Sequence, residues 1–355
     1  MLSHPDPQSA LNIEDRHPVD IARGGLSGAD VKSLYLRAVQ DSSAAAAGFY
    51  NRNVRVAVGG SAVNVRVPID GAAVMDVRQW PEPQILATIA PYVSDAPRLY
   101  AVNEQPRCQI QEYVHGHQLD QLAPRGTAVP DHVPTDVAAL FADLRAIPID
   151  ALPSPTTDLD DHPHRFAHRL WGNTRRLHEG HRSEFAALFR RLDIPEDPFA
   201  PLSGAAGSLQ ARPFRLIHCD LHRKNMLIRA GRTVFLDWEL ALFGDPLADV
   251  AIHLLKMTYL PHEQDAFLTA RAAVEPDAVS PGWREDLDRY LTHEKVKAAV
   301  IDAVRYAVVI AEHSRSPAGE QALVDGLTRR LADAGPLWDR AAPERDRVEA
   351  ALRAH

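Results

Sequence analysis

The chain has 355 residues, 45% of them hydrophobic and 24% charged, enough for a sizeable core in two or three packed units. A formal charge of −8 argues against nucleic-acid or anionic-membrane binding, and the two distant cysteines, Cys108 and Cys219, exclude a disulfide scaffold or a four-cysteine metal site. Residues 1–20 lack a basic stretch followed by an apolar run, and no run of about 18 apolar residues occurs. Neither a secretory signal nor a transmembrane helix is expected, and a cytoplasmic location is.

Residues 1–30 are polar, with several Pro and Gly, and read as an N-terminal extension. The moderate alternation of 32–39 predicts a first strand. The stretch 40–52, rich in Ser, Ala and Gly, predicts a loop. Asn53–Val58 and Ala62–Ile69 are β-branched runs flanking Gly59-Gly60, which predicts a hairpin. A helix follows at 82–90 with Pro83 in its first turn, then a strand at 107–113. Beyond Gly116 the character changes. Residues 133–146, 162–192 and most of 247–353 have the apolar spacing of helices. The β signal there is confined to 214–217 and a hairpin over 226–236, and Pro-rich segments at 148–155 and 195–213 read as connections. No internal repeat is present. The pattern predicts an α+β chain, with a β-rich lobe over 31–115 and a mostly helical lobe over 116–355.

The chemistry concentrates in PheArgLeuIleHisCysAspLeuHisArgLysAsnMetLeuIle (214–228), continuing to PheLeuAspTrpGlu (235–239). Pairing 226–229 with 233–236 across AlaGlyArg (230–232) returns Asp237 beside Asn225, with Asp220 in the loop just before. One carboxamide and two carboxylates then converge. Mg²⁺ favours hard oxygen ligands and keeps waters and phosphates in its other positions, which suits Asn225 and one carboxylate. The second carboxylate, off the metal, can orient an acceptor hydroxyl and take its proton.

The pattern His-x-Asp-x-x-x-x-Asn followed by a strand and an Asp resembles the kinase superfamily. HisCysAspLeuHisArgLysAsn, LeuAspTrpGlu and GlyAspProLeuAlaAspValAla (244–251) together resemble its aminoglycoside phosphotransferase and choline kinase branch. The resemblance implies a protein-kinase-like two-lobed fold using ATP and Mg²⁺. It makes Asp220 the catalytic base or orienting residue and Asn225 and Asp237 the metal ligands. His222 stands where protein kinases usually carry Lys. It also implies that His218 braces the loop and that Asp249 caps and anchors the following helix. Asp237-Trp-Glu in place of Asp-Phe-Gly argues against a protein kinase.

By the same resemblance the N-terminal third binds the nucleotide. Arg66, on the polar face of Val63–Ile69, would reach the α- and β-phosphates, and Glu82 would pair with it. The plainer readings are a solvated strand charge and a first-turn acid complementing the helix dipole. The segment 43–53 stands where a phosphate-covering loop belongs, with Asn51 or Asn53 near its end; Asn53 is taken as the nucleotide-side residue. GlnIleGlnGluTyrValHisGly (109–116) resembles the lobe-connecting hinge, where the backbone of Glu112 and Val114 would bond the adenine edge and Gln111 would sit behind the base. An edge strand ending in a turn describes the same backbone.

His164 and His168 are four apart but lack the Glu of a zinc-protease motif, so surface histidines are expected. Trp171, Trp283 and Trp338 read as packing residues. A nucleophilic Cys219 beside His218 is disfavoured, because adjacent side chains point apart. The acceptor stays open between an antibiotic hydroxyl (an aminoglycoside, a macrolide or a capuramycin-type nucleoside) and a metabolic choline, sugar or amino alcohol. A catalytically silent kinase-fold binding protein is the third reading, and intact Asp220, Asn225 and Asp237 count against it.

Overall fold

The computed structural model describes residues 25–41, 45–47, 51–69, 78–154, 162–275, 279–312 and 315–354. They fall into two compact units. The first draws on Met1–Thr156, Asp220–Leu242 and Leu260–Arg271, the second on Thr157–Cys219, Phe243–Tyr259 and Ala272–His355. Most of the extension proposed for 1–30 lies outside the described residues.

The first unit opens with helix α1, Gly28–Gln40, where the sequence predicts a strand over 32–39. The helix wins because its start is capped on both sides. The Ser27 hydroxyl accepts from the Asp30 amide at 3.2 Å, and the Asp30 carboxylate accepts from the Ser27 amide at 2.9 Å. Val31, Leu34 and Ala38, spaced by three and four, are buried, whereas Leu36 and Val39 face outward. An antiparallel sheet follows in the order β1-β2-β3-β5-β4, made of β1 Ala45–Ala47, β2 Asn51–Val58, β3 Ser61–Pro68, β4 Leu99–Glu104 and β5 Arg107–Glu112. β1 falls inside the stretch expected to be loop, and β4 is an element the sequence reading does not anticipate. The Gly59-Gly60 hairpin stands where expected, with Val58 opposite Ser61. Apolar side chains of α1 (Val31, Leu34, Ala38) close over those of the sheet (Val54, Val56, Val65, Ile110) to form one core cluster. Helix α2, Glu82–Ile89, starts on Pro81 with Pro83 in its first turn.

The same unit holds a smaller sheet, β6-β7-β8, of His117–Gln118, Met226–Arg229 and Arg232–Phe235. The short helix α3, Leu119–Leu122, and the longer α4, Val133–Ala146, complete it. The β7–β8 turn is tighter than expected. Met226 pairs with Phe235 and Arg229 with Arg232, so the connection is Ala230-Gly231 alone, both with positive φ (50° and 76°). Two residues of that conformation match the twist of the flanking strands, and the three-residue AlaGlyArg turn is corrected by one residue.

The second unit is mostly helical: α5 Pro163–His181, α6 Ala186–Arg191, α7 Pro246–Met257, α8 Trp283–Ala311, α9 Pro317–Ala334 and α10 Arg345–Arg353. Strands Arg215–Ile217 and Leu242–Gly244 pair as a two-stranded sheet. Its interior includes a buried ion network in which Arg212 bonds Asp245 and Asp286, and the Tyr290 hydroxyl donates to Asp245 at 2.9 Å. Trp171 stacks on His293 and meets Tyr290 edge-on, which is core packing as expected. Among the described residues no helix is long and apolar enough to cross a membrane.

Candidate active site

The strand Arg215–Ile217 delivers the chain to a loop fixed from two sides. In the second unit, the Asp249 carboxylate accepts from the amides of His218 at 2.8 Å and Cys219 at 2.9 Å. His218 is fully buried, and Cys219 adopts a left-handed φ of 63°. Asp249 therefore anchors the loop, where the expectation had it capping and anchoring the helix. It does not cap its helix, because Asp245 holds that position and accepts from the Leu247 amide at 2.9 Å.

The next residue, Asp220, belongs to the first unit. Asn225 spends both Nδ2 hydrogens on it, one on Oδ2 at 2.9 Å and one on the backbone carbonyl at 3.0 Å. His222 accepts from the Lys224 amide at Nδ1, 3.2 Å away, so the neutral ring carries its proton on Nε2. That nitrogen lies 3.5 Å from Oδ1 of Asp220. The Asp220 side chain keeps 17% exposure, open enough to meet a ligand and flanked on both oxygens.

Asp237 follows β8 directly. With the register slipped by one, Leu236 stands opposite Asn225, and its amide donates to the Asn225 carbonyl at 2.8 Å. Asp237 then turns into a left-handed conformation, φ 62°. One carboxylate oxygen accepts from Nη2 of Arg66 at 2.9 Å.

Arg66 is buried, so a solvated strand charge does not describe it. Its guanidinium donates to Glu82 at 2.7 Å, to Asp237 at 2.9 Å and to Glu239 at 3.1 Å. Burial works against its charge, but the three carboxylates outweigh it and raise its pKa. Glu82 also accepts from the Trp238 amide at 3.1 Å, from Gln111 at 3.1 Å and from Gln109. Burial lifts its pKa while Arg66 pulls it down. Glu239 is pushed up to about 7 by burial and by the Asp237 charge, against the pull of Arg66. It accepts from Asn51 Nδ2 at 2.8 Å.

Three of the six nucleotide-side residues named from sequence, Arg66, Glu82 and Gln111, thus meet in one polar core with Asp237. Glu239 and Gln109 join it without having been singled out, and so does Asn51, the alternative to Asn53. The i,i+2 pair Gln109/Gln111 on one strand face was the available signal for the second of these. Asn53 stays apart: it pairs with Arg66 through the backbone ladder, and its Oδ1 has no partner among the described residues. Glu112 uses its amide on the Arg98 carbonyl at 2.8 Å and its carboxylate on Arg229 at 3.0 Å, and Val114 is buried beside it in sequence.

A model of the phosphotransferase enzyme family (APH) matches residues 41–290. The chain belongs to this family. Solved structures share its protein-kinase-like fold at low identity. Ethanolamine kinase from Plasmodium vivax is 13% identical with a TM-score of 0.58, over 83% of this chain and 84% of that one. The macrolide 2'-phosphotransferase MphH of Brachybacterium faecium is 15% identical with a TM-score of 0.50, over 83% and 97%. Choline kinase LicA of Streptococcus pneumoniae, solved with AMP, is 13% identical with a TM-score of 0.52, over 88% and 100%. A search of curated proteins found no match.

In this phosphotransferase the donor set fits a Mg²⁺ ion. With both Asn225 hydrogens on Asp220, its Oδ1 meets no protein donor among the described residues, and neither does the second oxygen of Asp237. Two uncommitted hard oxygens are what Mg²⁺ takes from a protein when waters and phosphates supply the rest. Among the described residues no group of three or more His, Cys, Asp and Glu is set to hold a metal, His164 and His168 included. Burial, then the nearby Asp249 charge, raises the Cys219 thiol well above its ordinary pKa, which agrees with the reading against a nucleophile.

Proposed function

We propose that the chain transfers the γ-phosphate of ATP to a hydroxyl of a small molecule, with Asp220 at the reacting atoms. The observation that carries the reading is the Asp220–Asn225–His222 constellation. A carboxylate is fixed through one oxygen and its backbone by Asn225, and a ring N–H is turned toward the other oxygen. Such a group orients an acceptor hydroxyl and receives its proton as the new O–P bond forms and ADP departs. Asn225 and Asp237 would hold Mg²⁺, which when bound offsets phosphate charge. Arg66, held by Glu82, would meet the α- and β-phosphates. The backbone at Glu112 and Val114 would receive the adenine edge, with Gln111 behind it and Asn53 on the phosphate side. The AMP complex of LicA supports a nucleotide reading.

The acceptor is an antibiotic hydroxyl in this reading, a choice supported by the likeness to MphH. The likeness to ethanolamine and choline kinases supports a metabolic amino alcohol instead. A coupled ADP-release screen across aminoglycosides, macrolides, nucleoside antibiotics, choline, ethanolamine and sugars decides between them. Asp220→Asn should abolish acceptor-dependent ADP release and keep the wild-type melting temperature. Wild-type turnover in that variant would remove Asp220 from the chemistry.

A further inference from the structure

Arg223 lies in the middle of the loop between Asp220 and Asn225, yet it is almost wholly buried, at 2% exposure. Its Nη1 donates to three backbone carbonyls, those of Ala123 at 2.6 Å, Thr127 at 3.0 Å and Pro124 at 3.2 Å. All three lie in the turn after α3, about a hundred residues earlier in the chain. Three carbonyls of one turn gathered on a single buried nitrogen tie the loop to that turn across a hundred residues of chain.

We infer that Arg223 is a positioning residue for the reaction: by tying its loop to the 123–127 turn it sets the placement of Asp220 and Asn225. The inference rests on the catalytic reading of Asp220 given above. The geometry supports it from both ends of the loop. On the N-terminal side, Asp249 already holds the amides of His218 and Cys219. On the C-terminal side, Asn225 enters β7, and its carbonyl accepts from Leu236. Between them Gln118 Nε2 donates to the Lys224 carbonyl at 2.8 Å, and the Arg223 bonds reach the carbonyls of the 123–127 turn. Both of these longer ties run to the segment 118–127, so that segment is the platform on which the loop rests. All three bonds leave from one nitrogen at the end of the long Arg stem, a point that the shorter stem of Lys does not reach. Misplacing a reacting group by about 1 Å costs about 100-fold in rate.

The test compares wild type with Arg223→Lys and Arg223→Ala, using Mg·ATP and the best acceptor from the screen, or water as acceptor. Hydrogen exchange of the 220–226 peptide is followed in the same proteins. Arg223→Ala should lower kcat about 100-fold with the KM for Mg·ATP changed by less than about threefold, and methylguanidinium should restore a measurable part of kcat. Arg223→Lys should retain the fold but not the rate. Exchange should rise in 220–226 and stay unchanged in β2 and β3. Wild-type kcat in Arg223→Ala, or loss of rate that follows a general fall in melting temperature with exchange rising throughout the unit, overturns the inference. If wild type releases no ADP with any acceptor, the phosphotransfer reading fails. The exchange pattern alone then decides the role of Arg223: a rise confined to 220–226 upholds it, and no rise there ends it.

Discussion

Glu82 carries more of the site's integrity than its place in the first turn of a helix suggests. Its two oxygens take donors from Arg66, Gln109, Gln111 and the Trp238 amide, four groups from three separate stretches of chain. Removing one partner of a buried ion pair strands the rest without water, so Glu82→Ala should cost about 3 kcal/mol of stability by urea denaturation. The same change should weaken Mg·ATP binding in a fluorescent-nucleotide titration. An unaltered urea midpoint would show that Gln109, Gln111 and Arg66 find other partners. The pairing of Arg66 with Glu82 was legible through the family resemblance, since a strand cation and a helix-opening acid have plainer readings by themselves. The entry of Glu239 and Asn51 was not, because nothing in local spacing says that residues 51 and 239 are 2.8 Å apart.

At the scale of elements, the long helix α8 builds charge into the second unit's interior. Glu294 is buried and ion-paired with Lys297, and His293 Nδ1 lies 3.0 Å from its carboxylate. Burial pushes its pKa up, but Lys297 and then His293 more than reverse that and take it down to about 2. The sign follows from linkage: a depressed carboxylate stabilises the fold above its ordinary value near 4.5, and that contribution fades as pH falls toward 2. The urea midpoint should therefore drop between about pH 4.5 and about pH 2, and Lys297→Met should flatten the part of that drop owed to Glu294. An identical acid profile in the variant would mean that Lys297 does not hold the carboxylate. α1 makes the complementary point about local signals. Ser27→Ala should destabilise by about 1 kcal/mol, since it removes one side of a capping box. The moderate alternation of 32–39 pointed to a strand, while the cap and the three-four spacing of Val31, Leu34 and Ala38 decided for a helix.

For the whole molecule, occupancy should show as stability, because a ligand that binds only the folded state adds about 2.7 kcal/mol at a concentration of 100 Kd. Mg·ADP should raise the melting temperature of wild type, ADP with EDTA should raise it less, and Asp237→Ala should erase the difference between the two. Equal shifts with and without metal would remove Asp237 from metal binding. By itself the sequence determined the α+β class, the family, the Gly59-Gly60 hairpin and the short list of oxygen-bearing residues, because periodicity, turn chemistry and a spaced motif are all written within some tens of residues. Only the tertiary structure decided which polar groups share a partner. The one-residue register of the β7–β8 turn, the gathering of Glu239 and Asn51 around Arg66, and the burial of Arg223 against the 123–127 carbonyls depend on contacts between distant stretches. There the need to satisfy every buried donor and charge, rather than any local preference, selects the arrangement.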